Sequence, residues 1–178
     1  MLIGLSAPAN AEGTPSGAVS AYNNLDQSLG QIAAQTAADE LVRLHVVAGD
    51  DSDAAQQLKL TVRDAVLDCA RSLLADCADA DAAYARLTAC LPALEQVAAD
   101  AAGPDHDVCA ETGVFPFPDR DYAGVTVPAG DYRALRIVID GGEGRNWWCI
   151  LFPTLCTTTD GHSALADWLG ELFGGDPS

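Results

Sequence analysis

The segment Leu41–Cys69, LVRLHVVAGDDSDAAQQLKLTVRDAVLDC, contains the change of hydrophobic period that decides the fold. In its first eight residues apolar side chains alternate with Arg43 and His45, a pattern typical of a half-buried β-strand. A short acidic turn follows. Apolar residues then recur every three or four positions, which predicts a helix from Ala54 to about Ala75.

The patterns downstream predict a second helical region and then a series of strands. The helical region begins after a turn near Asp79 and contains Pro92, where we expect a kink or a restart. Strands are expected at Val108–Phe115, Val125–Val127 and Tyr132–Asp140. The order strand, helix, helix, strand predicts an α+β fold in which a two-helix hairpin packs on one face of a small mixed sheet.

Composition divides the chain into three parts. Residues 1–40 begin with an apolar stretch and contain Ala9-Asn10-Ala11, an A-x-A cleavage pattern, so we expect a truncated signal peptide or linker that is partly disordered. A flexible N-terminus without a signal fits the same residues equally well. Residues 41–158 are expected to form one α/β-sandwich domain. Residues 159–178 are expected to be an extension with a short amphipathic helix around Trp168.

The charge of the chain excludes one large class of partners. Asp and Glu number 26 against nine Lys and Arg, which gives a formal net charge of −17. Such a protein gains no counterion release from a phosphate backbone and is repelled by anionic surfaces. The sequence therefore predicts no nucleic-acid partner.

The residue spacings of common enzyme sites are missing from the sequence. It has no C-x-x-C pair, no Cys or His doublet with zinc spacing, and no glycine loop that leads into a helix. His106 and His162 lie beside aspartates in loops, where isolated histidines are usually solvated. We therefore expect a protein that is not an enzyme and has no metal, cofactor or small-molecule substrate.

The six cysteines are compatible with disulfide bonds in an oxidising compartment. If the two helices fold back about the turn at Asp79-Ala80, Cys69 faces Cys90, and a bridge there would stabilise the hairpin by about 3 kcal/mol. Two buried free thiols at these positions are the alternative in a reducing compartment.

The segment Gly142–Cys156, GEGRNWWCILFPTLC, brings two of the three tryptophans together between two cysteines. In a strand, Trp147 and Trp148 would point in opposite directions, so we expect one inside and one outside. Tryptophan is common in binding hot spots, but it also completes small cores. The sequence leaves a partner contact and a core position open for each of the two.

Three segments together resemble the stage II sporulation protein R family of endospore-forming bacteria. They are the two segments quoted above and VPAGDYRALRIVID, residues 127–140, and they cover Leu41 to Cys156 in the family's order. The resemblance implies a signalling protein that is exported from the forespore into the space between the two cells. There it would activate a membrane-embedded aspartic-type protease, which processes the precursor of a mother-cell sigma factor. This chain departs from the family pattern in its incomplete N-terminal signal, its four additional cysteines and its C-terminal extension.

The resemblance also directs attention to particular residues. It implies that Cys149 and Cys156, the pair that the family retains, form a disulfide. Cys77 and Cys109 would then pair by elimination. The candidate partner-binding residues are Asn146, Trp147, Trp148, Phe152, His45 and Arg63. For His45 a local hydrogen bond to the acidic turn, and for Arg63 a solvated pair with Asp64, are structural alternatives. The alternatives for the whole protein are an extracytoplasmic hydrolase that uses Cys149 or a loop histidine, and a binding module that uses the Trp147–Cys156 loop.

Overall fold

The computed structural model of the protein describes residues 38–122 and 125–153. Within these ranges one strand is followed by three helices and then by five strands. The elements, in chain order, are β1 (Val42–Val47), α1 (Asp53–Leu74), α2 (Ala80–Ala89), α3 (Leu91–Ala102), β2 (Val108–Phe117), β3 (Arg120–Tyr122), β4 (Val125–Val127), β5 (Gly130–Ile139) and β6 (Asn146–Phe152).

The main sheet has four strands in the order β2-β5-β1-β6. Strand β1 pairs in parallel with β5 and antiparallel with β6, while β2 is antiparallel to β5. Strands β3 and β4 form a separate two-stranded sheet. The predicted α+β class and mixed sheet are therefore confirmed. Strand β3, which is only three residues long, was not predicted.

The helices differ from the predicted hairpin in number. α1 begins after Ser52, whose Oγ accepts a hydrogen bond from the backbone N–H of Ala55 at 3.2 Å. The second helical region divides at Cys90 into α2 and α3, and Pro92 lies in the first turn of α3, where its missing N–H costs nothing. The expected restart is confirmed, but it produces three helices, and α3 rather than α2 is the principal neighbour of α1. The predicted C-terminal helix and residues 1–37 lie outside the described residues.

The sheet carries a hydrophobic cluster on each face. On one face the three helices cover side chains that include Leu44, Val46 and Ile137. On the other face a smaller cluster joins Phe117, Tyr132 and other side chains of the sheet. Every residue of β1 is buried, including the polar side chains of the alternating pattern. The predicted strand is confirmed as β1, but its predicted half-burial is wrong, because aromatic side chains cover the face that the sequence assigned to solvent.

The loop between β5 and β6 packs closely against the loop between β1 and α1. Gly141 and Gly142 have φ values of 82° and 70°, which favour glycine. Gly144 is required for another reason, since a Cβ atom there would lie 2.2 Å from the carbonyl oxygen of Asp50. Its N–H donates to the carbonyl oxygen of Ala48 at 2.9 Å. These contacts fix the position at which β6 begins.

Candidate functional site

The six candidate partner-binding residues are not brought together at one place. Trp147 pairs with Val46 and Trp148 with His45, so the two rings lie on opposite faces of the sheet. The expected alternation is present, but both rings are half-buried instead of one inside and one outside. Trp147 packs on the helical side and Trp148 on the opposite side.

On the helical side, Trp147 lies under a basic side chain of α1. The guanidinium carbon of Arg63 is 4.9 Å from the centre of the Trp147 ring, within the range of a cation–π interaction. Arg63 also forms a 2.7 Å ion pair with Asp64, its neighbour on the helix, so the predicted solvated pair is present as well. A second cation, Lys59, lies near enough to Arg63 and to Arg145 for both to lower its pKa. We call Lys59, Arg63, Arg145 and Trp147 the basic patch.

Lys59 connects α1 to the β5–β6 loop at the centre of the basic patch. Its side chain is buried, and its Nζ donates to the carbonyl oxygen of Arg145 at 2.9 Å and to Oε1 of Gln56 at 2.6 Å. Burial lowers the pKa of Lys59, and repulsion by Arg145 and Arg63 lowers it further against the opposite effect of Asp51. Lys59 therefore holds the β5–β6 loop in place, although the positive charges of Arg145 and Arg63 lie near its own.

On the opposite face, His45 is enclosed by aromatic rings. Its ring stacks on Trp148 with centroids 4.1 Å apart, and Phe117 meets it edge-on at 5.9 Å. Burial above all lowers the pKa of His45 to about 4, with a further decrease from Arg136 and an opposing effect of the nearby Asn146 amide. The side chain is therefore neutral at pH 7. The exposed Asn146 lies on the same face, at the start of β6.

Arg43, two residues before His45, is fully buried on the same face. Its guanidinium carbon lies 4.2 Å from the ring centre of Phe117 and 4.8 Å from that of Tyr132, and its Nη2 donates to the phenol oxygen of Tyr122 at 2.7 Å. Its Nε and Nη1 have no hydrogen-bond partner among the described residues. Aromatic faces take the place of the carboxylate that a buried arginine usually has.

Phe152 lies at a third location, beside a cavity of about 720 Å³. Arg133 and Asp81 line this cavity and form an ion pair at 2.5 Å. The other charged lining residues are Asp39, Glu40 and Asp79. Phe152 therefore borders this cavity, while it packs against the same hydrophobic cluster as Trp147.

The cysteines do not form the predicted bridge between the helices. Cys69, Cys77, Cys90 and Cys109 are free thiols, so neither Cys69–Cys90 nor Cys77–Cys109 is bonded in the structure. Cys90 lies at the junction between α2 and α3, near enough to Cys69 to affect its pKa, but no bond joins the two. Burial raises the pKa of Cys69, and the nearby Cys90 raises it further. Cys149 is buried and is not among the free thiols, and because Cys156 lies outside the described residues, their pairing stays a prediction.

Two further features of the described residues bear on function. No group of three or more metal-binding side chains occurs in residues 38–122 and 125–153, and His106 there pairs with Asp140 at 2.7 Å. None of the helices in the same ranges combines the length and apolar character that crossing a membrane requires.

Sequence reasoning did not identify the residues that organise the two tryptophan environments. Lys59 and Arg145 join the basic patch only because the β5–β6 loop packs on α1, a contact between residues far apart in sequence. Arg43 was assigned to the solvent side of a strand. The sequence did contain a signal for a covered polar face. In an otherwise apolar strand, an arginine is followed two positions later by a histidine.

Comparisons with known proteins agree on one family. A sequence model described as stage II sporulation protein R matches residues 38–162 of the chain. The chain is also 34% identical over 121 residues to the stage II sporulation protein R of Bacillus subtilis (strain 168), which is 66% of this chain and 54% of that protein. The chain thus spans about half the length of this curated relative. No solved structure matches it.

Proposed function

The chain belongs to the stage II sporulation protein R family, and we propose that it is an exported sporulation signal that activates a membrane-embedded protease. In this proposal the protease is of the aspartic type and processes the precursor of a mother-cell sigma factor. The protein acts in the space between forespore and mother cell, without catalysing a reaction itself. The observation that carries the proposal is the family match over residues 38–162, which includes all of the described fold.

The geometry of the chain supports a binding role. The Trp147-Trp148 strand is an edge strand of the main sheet, and its start is held by hydrogen bonds to the β1–α1 loop. Such a strand presents aromatic side chains in fixed positions, so little conformational entropy is lost when a partner binds. The hydrolase alternative gains no support, because Cys149 is only 2% exposed and lies on the helix-covered face.

Co-expression in a host without other sporulation proteins tests this proposal. The host would produce the cognate protease, the sigma-factor precursor, and this chain directed across the membrane by an added signal sequence. We expect cleavage of the precursor to require the chain and to increase with its dose. A form of the chain retained in the cytoplasm is the control and should cause no cleavage. Equal cleavage with and without the exported chain would contradict the proposal.

A further inference from the structure

The basic patch concentrates positive charge in a strongly acidic protein. Only nine residues of the chain are Lys or Arg, against 26 Asp or Glu, yet Arg63 and Arg145 both lie near enough to Lys59 to lower its pKa, and Arg63 packs on Trp147, two residues after Arg145. Like charges placed together reduce stability, and an acidic protein has many carboxylates with which to separate them. Three cations beside one half-buried tryptophan are a candidate site for an anionic group.

The basic patch is also rigid. Lys59 fixes the backbone of Arg145 from one side, and Asp51 accepts a 2.7 Å hydrogen bond from the Arg145 N–H on the other. Arg63 rests on the Trp147 ring. The two arginines are therefore presented by a strand start and a helix that are locked together, and binding would require little reorganisation.

The carboxylates beside the arginines do not block the basic patch. Arg145 is 69% exposed and Asp51 62% exposed, with 3.2 Å between Nε and the carboxylate. Asp64, which pairs with Arg63, is 63% exposed. The exposed Arg145–Asp51 side-chain contact contributes little and exchanges readily with solvent, whereas Arg63 is only 22% exposed. A carboxylate of a partner can therefore replace the Asp51 contact at the Arg145 side chain, particularly if it approaches the planar guanidinium group in bidentate geometry, while Asp51 keeps its bond to the Arg145 N–H.

Of the two tryptophan environments, the basic patch is the better suited to a partner. Trp148 is engaged within the chain by stacking on His45 and by an edge contact with Phe117 at 4.7 Å. The half-buried Trp147 has a guanidinium above it and an exposed arginine two residues before it. This arrangement of an aromatic ring with flanking arginines is typical of interface hot spots.

We propose that the basic patch receives an acidic segment on the extracytoplasmic side of the protease, an assignment that rests on the proposed function. A protein segment fits better than an anionic membrane surface. A membrane would meet the whole chain with its net charge of −17, whereas a short segment senses the charges within about one Debye length, ~8 Å at physiological salt.

Charge reversal with a matched control tests the inference. Arg145→Glu and Arg63→Glu should each raise the dose of chain that gives half-maximal precursor cleavage by about tenfold, as expected for loss of one well-formed charge pair. Arg71→Glu is the control, because Arg71 lies on the same helix and pairs with Asp68 at 2.7 Å, as Arg63 does with Asp64. It should change the dose less than twofold. Thermal unfolding must show that all three variants fold, and Arg145→Glu is the decisive one because its side chain is exposed.

A suppressor and a binding measurement complete the test. An Asp→Lys or Glu→Lys change in one extracytoplasmic segment of the protease should restore cleavage by Arg145→Glu. A synthetic peptide of that segment should bind the full chain more weakly as salt increases, and should lose affinity with Arg145→Glu.

Two outcomes would overturn the inference. If folded Arg145→Glu and Arg63→Glu proteins reach half-maximal cleavage at the same dose as Arg71→Glu, the inference fails and the proposed function stays intact. Binding of phosphatidylglycerol vesicles that is lost with Arg145→Glu would overturn the choice of a protein segment. If wild-type chain triggers no cleavage, the proposed function fails, and the peptide measurement still decides whether the basic patch binds acidic segments.

Discussion

Arg43 shows how a cation can be buried in this fold without an acidic partner among the described residues. Its charge is desolvated, which lowers its pKa, and the described stabilising contacts are the rings of Phe117 and Tyr132 and the phenol of Tyr122. The phenol oxygen is the hydrogen-bond acceptor that the described residues provide for this guanidinium. The residue therefore connects the small β3–β4 sheet to the central strand.

We expect Tyr122→Phe to reduce the free energy of unfolding by about 1–3 kcal/mol, because a buried charged donor then loses its acceptor. In an Arg43→Met background the same substitution should cost almost nothing. Urea unfolding of the four proteins of this double-mutant cycle measures the difference. An equal cost in both backgrounds would show that the hydrogen bond contributes nothing.

His45 makes stability depend on pH in a predictable direction. Its pKa is about 4 in the folded protein, below the ordinary 6.5, so the unfolded chain binds the proton more readily between these values. Stability due to His45 is therefore complete above pH 6.5 and is lost as the pH falls towards 4. His45→Phe keeps a ring against Trp148. When the pH is lowered from 7 to 4.5, we expect its free energy of unfolding to fall by about 1–3 kcal/mol less than that of the wild type. Parallel stability curves for the two proteins over this range would contradict the assignment.

At the scale of elements, the loop between β5 and β6 determines where the basic patch stands. Gly144→Ala places a Cβ atom 2.2 Å from the carbonyl oxygen of Asp50, so the two loops must separate. We expect a loss of about 1–3 kcal/mol in the free energy of unfolding, measured by urea denaturation. Gly130→Ala is the control, since the nearest atom to its Cβ would be 3.5 Å away, and it should change stability by less than about 0.5 kcal/mol. Equal effects of the two substitutions would mean that the loop contact is not tight.

The elements that the sequence predicts well are those with a strong period. The apolar spacing of α1 and the strand pattern of β5 depend on one buried face each, and both lie within about two residues of their predicted bounds. The burial of Arg43 and His45 could not be predicted, because it depends on rings from β2 and β6 that the strand order brings over β1. The basic patch was missed for the same reason, since Lys59 meets Arg145, and Arg63 meets Trp147, only through tertiary packing.

At the scale of the whole molecule, the surroundings of the thiols predict the order in which they react. Cys69, Cys77, Cys90 and Cys109 are unbridged in the structure. In native alkylation Cys109, which is exposed, should react first, and Cys69, whose pKa is raised by burial and by Cys90, should react more slowly. Mass spectrometry of timed samples measures the order. Recovery of peptides joined by a disulfide between Cys69 and Cys90 would show that the bridge predicted from the sequence forms.

In the proposed function, the charge of the whole chain and the local basic patch act together in recognition of a partner at a membrane. The net charge of −17 opposes adsorption to anionic lipid, and the local cations favour one orientation towards an acidic segment. The proposal therefore assigns specificity to a few residues at the junction of α1 and β6 and not to the surface as a whole.

Reconstitution of the protease and its precursor in proteoliposomes tests the central claim most directly. Purified full-length chain would be added to the extracytoplasmic side alone, and the rate of precursor cleavage would be followed as its concentration rises. We predict a rate that increases with dose, saturates, and requires about tenfold more of the Arg145→Glu protein to reach half its maximum. A cleavage rate that is the same with and without the wild-type chain, in vesicles whose protease is shown to be active, would contradict the claim that this protein is the activator.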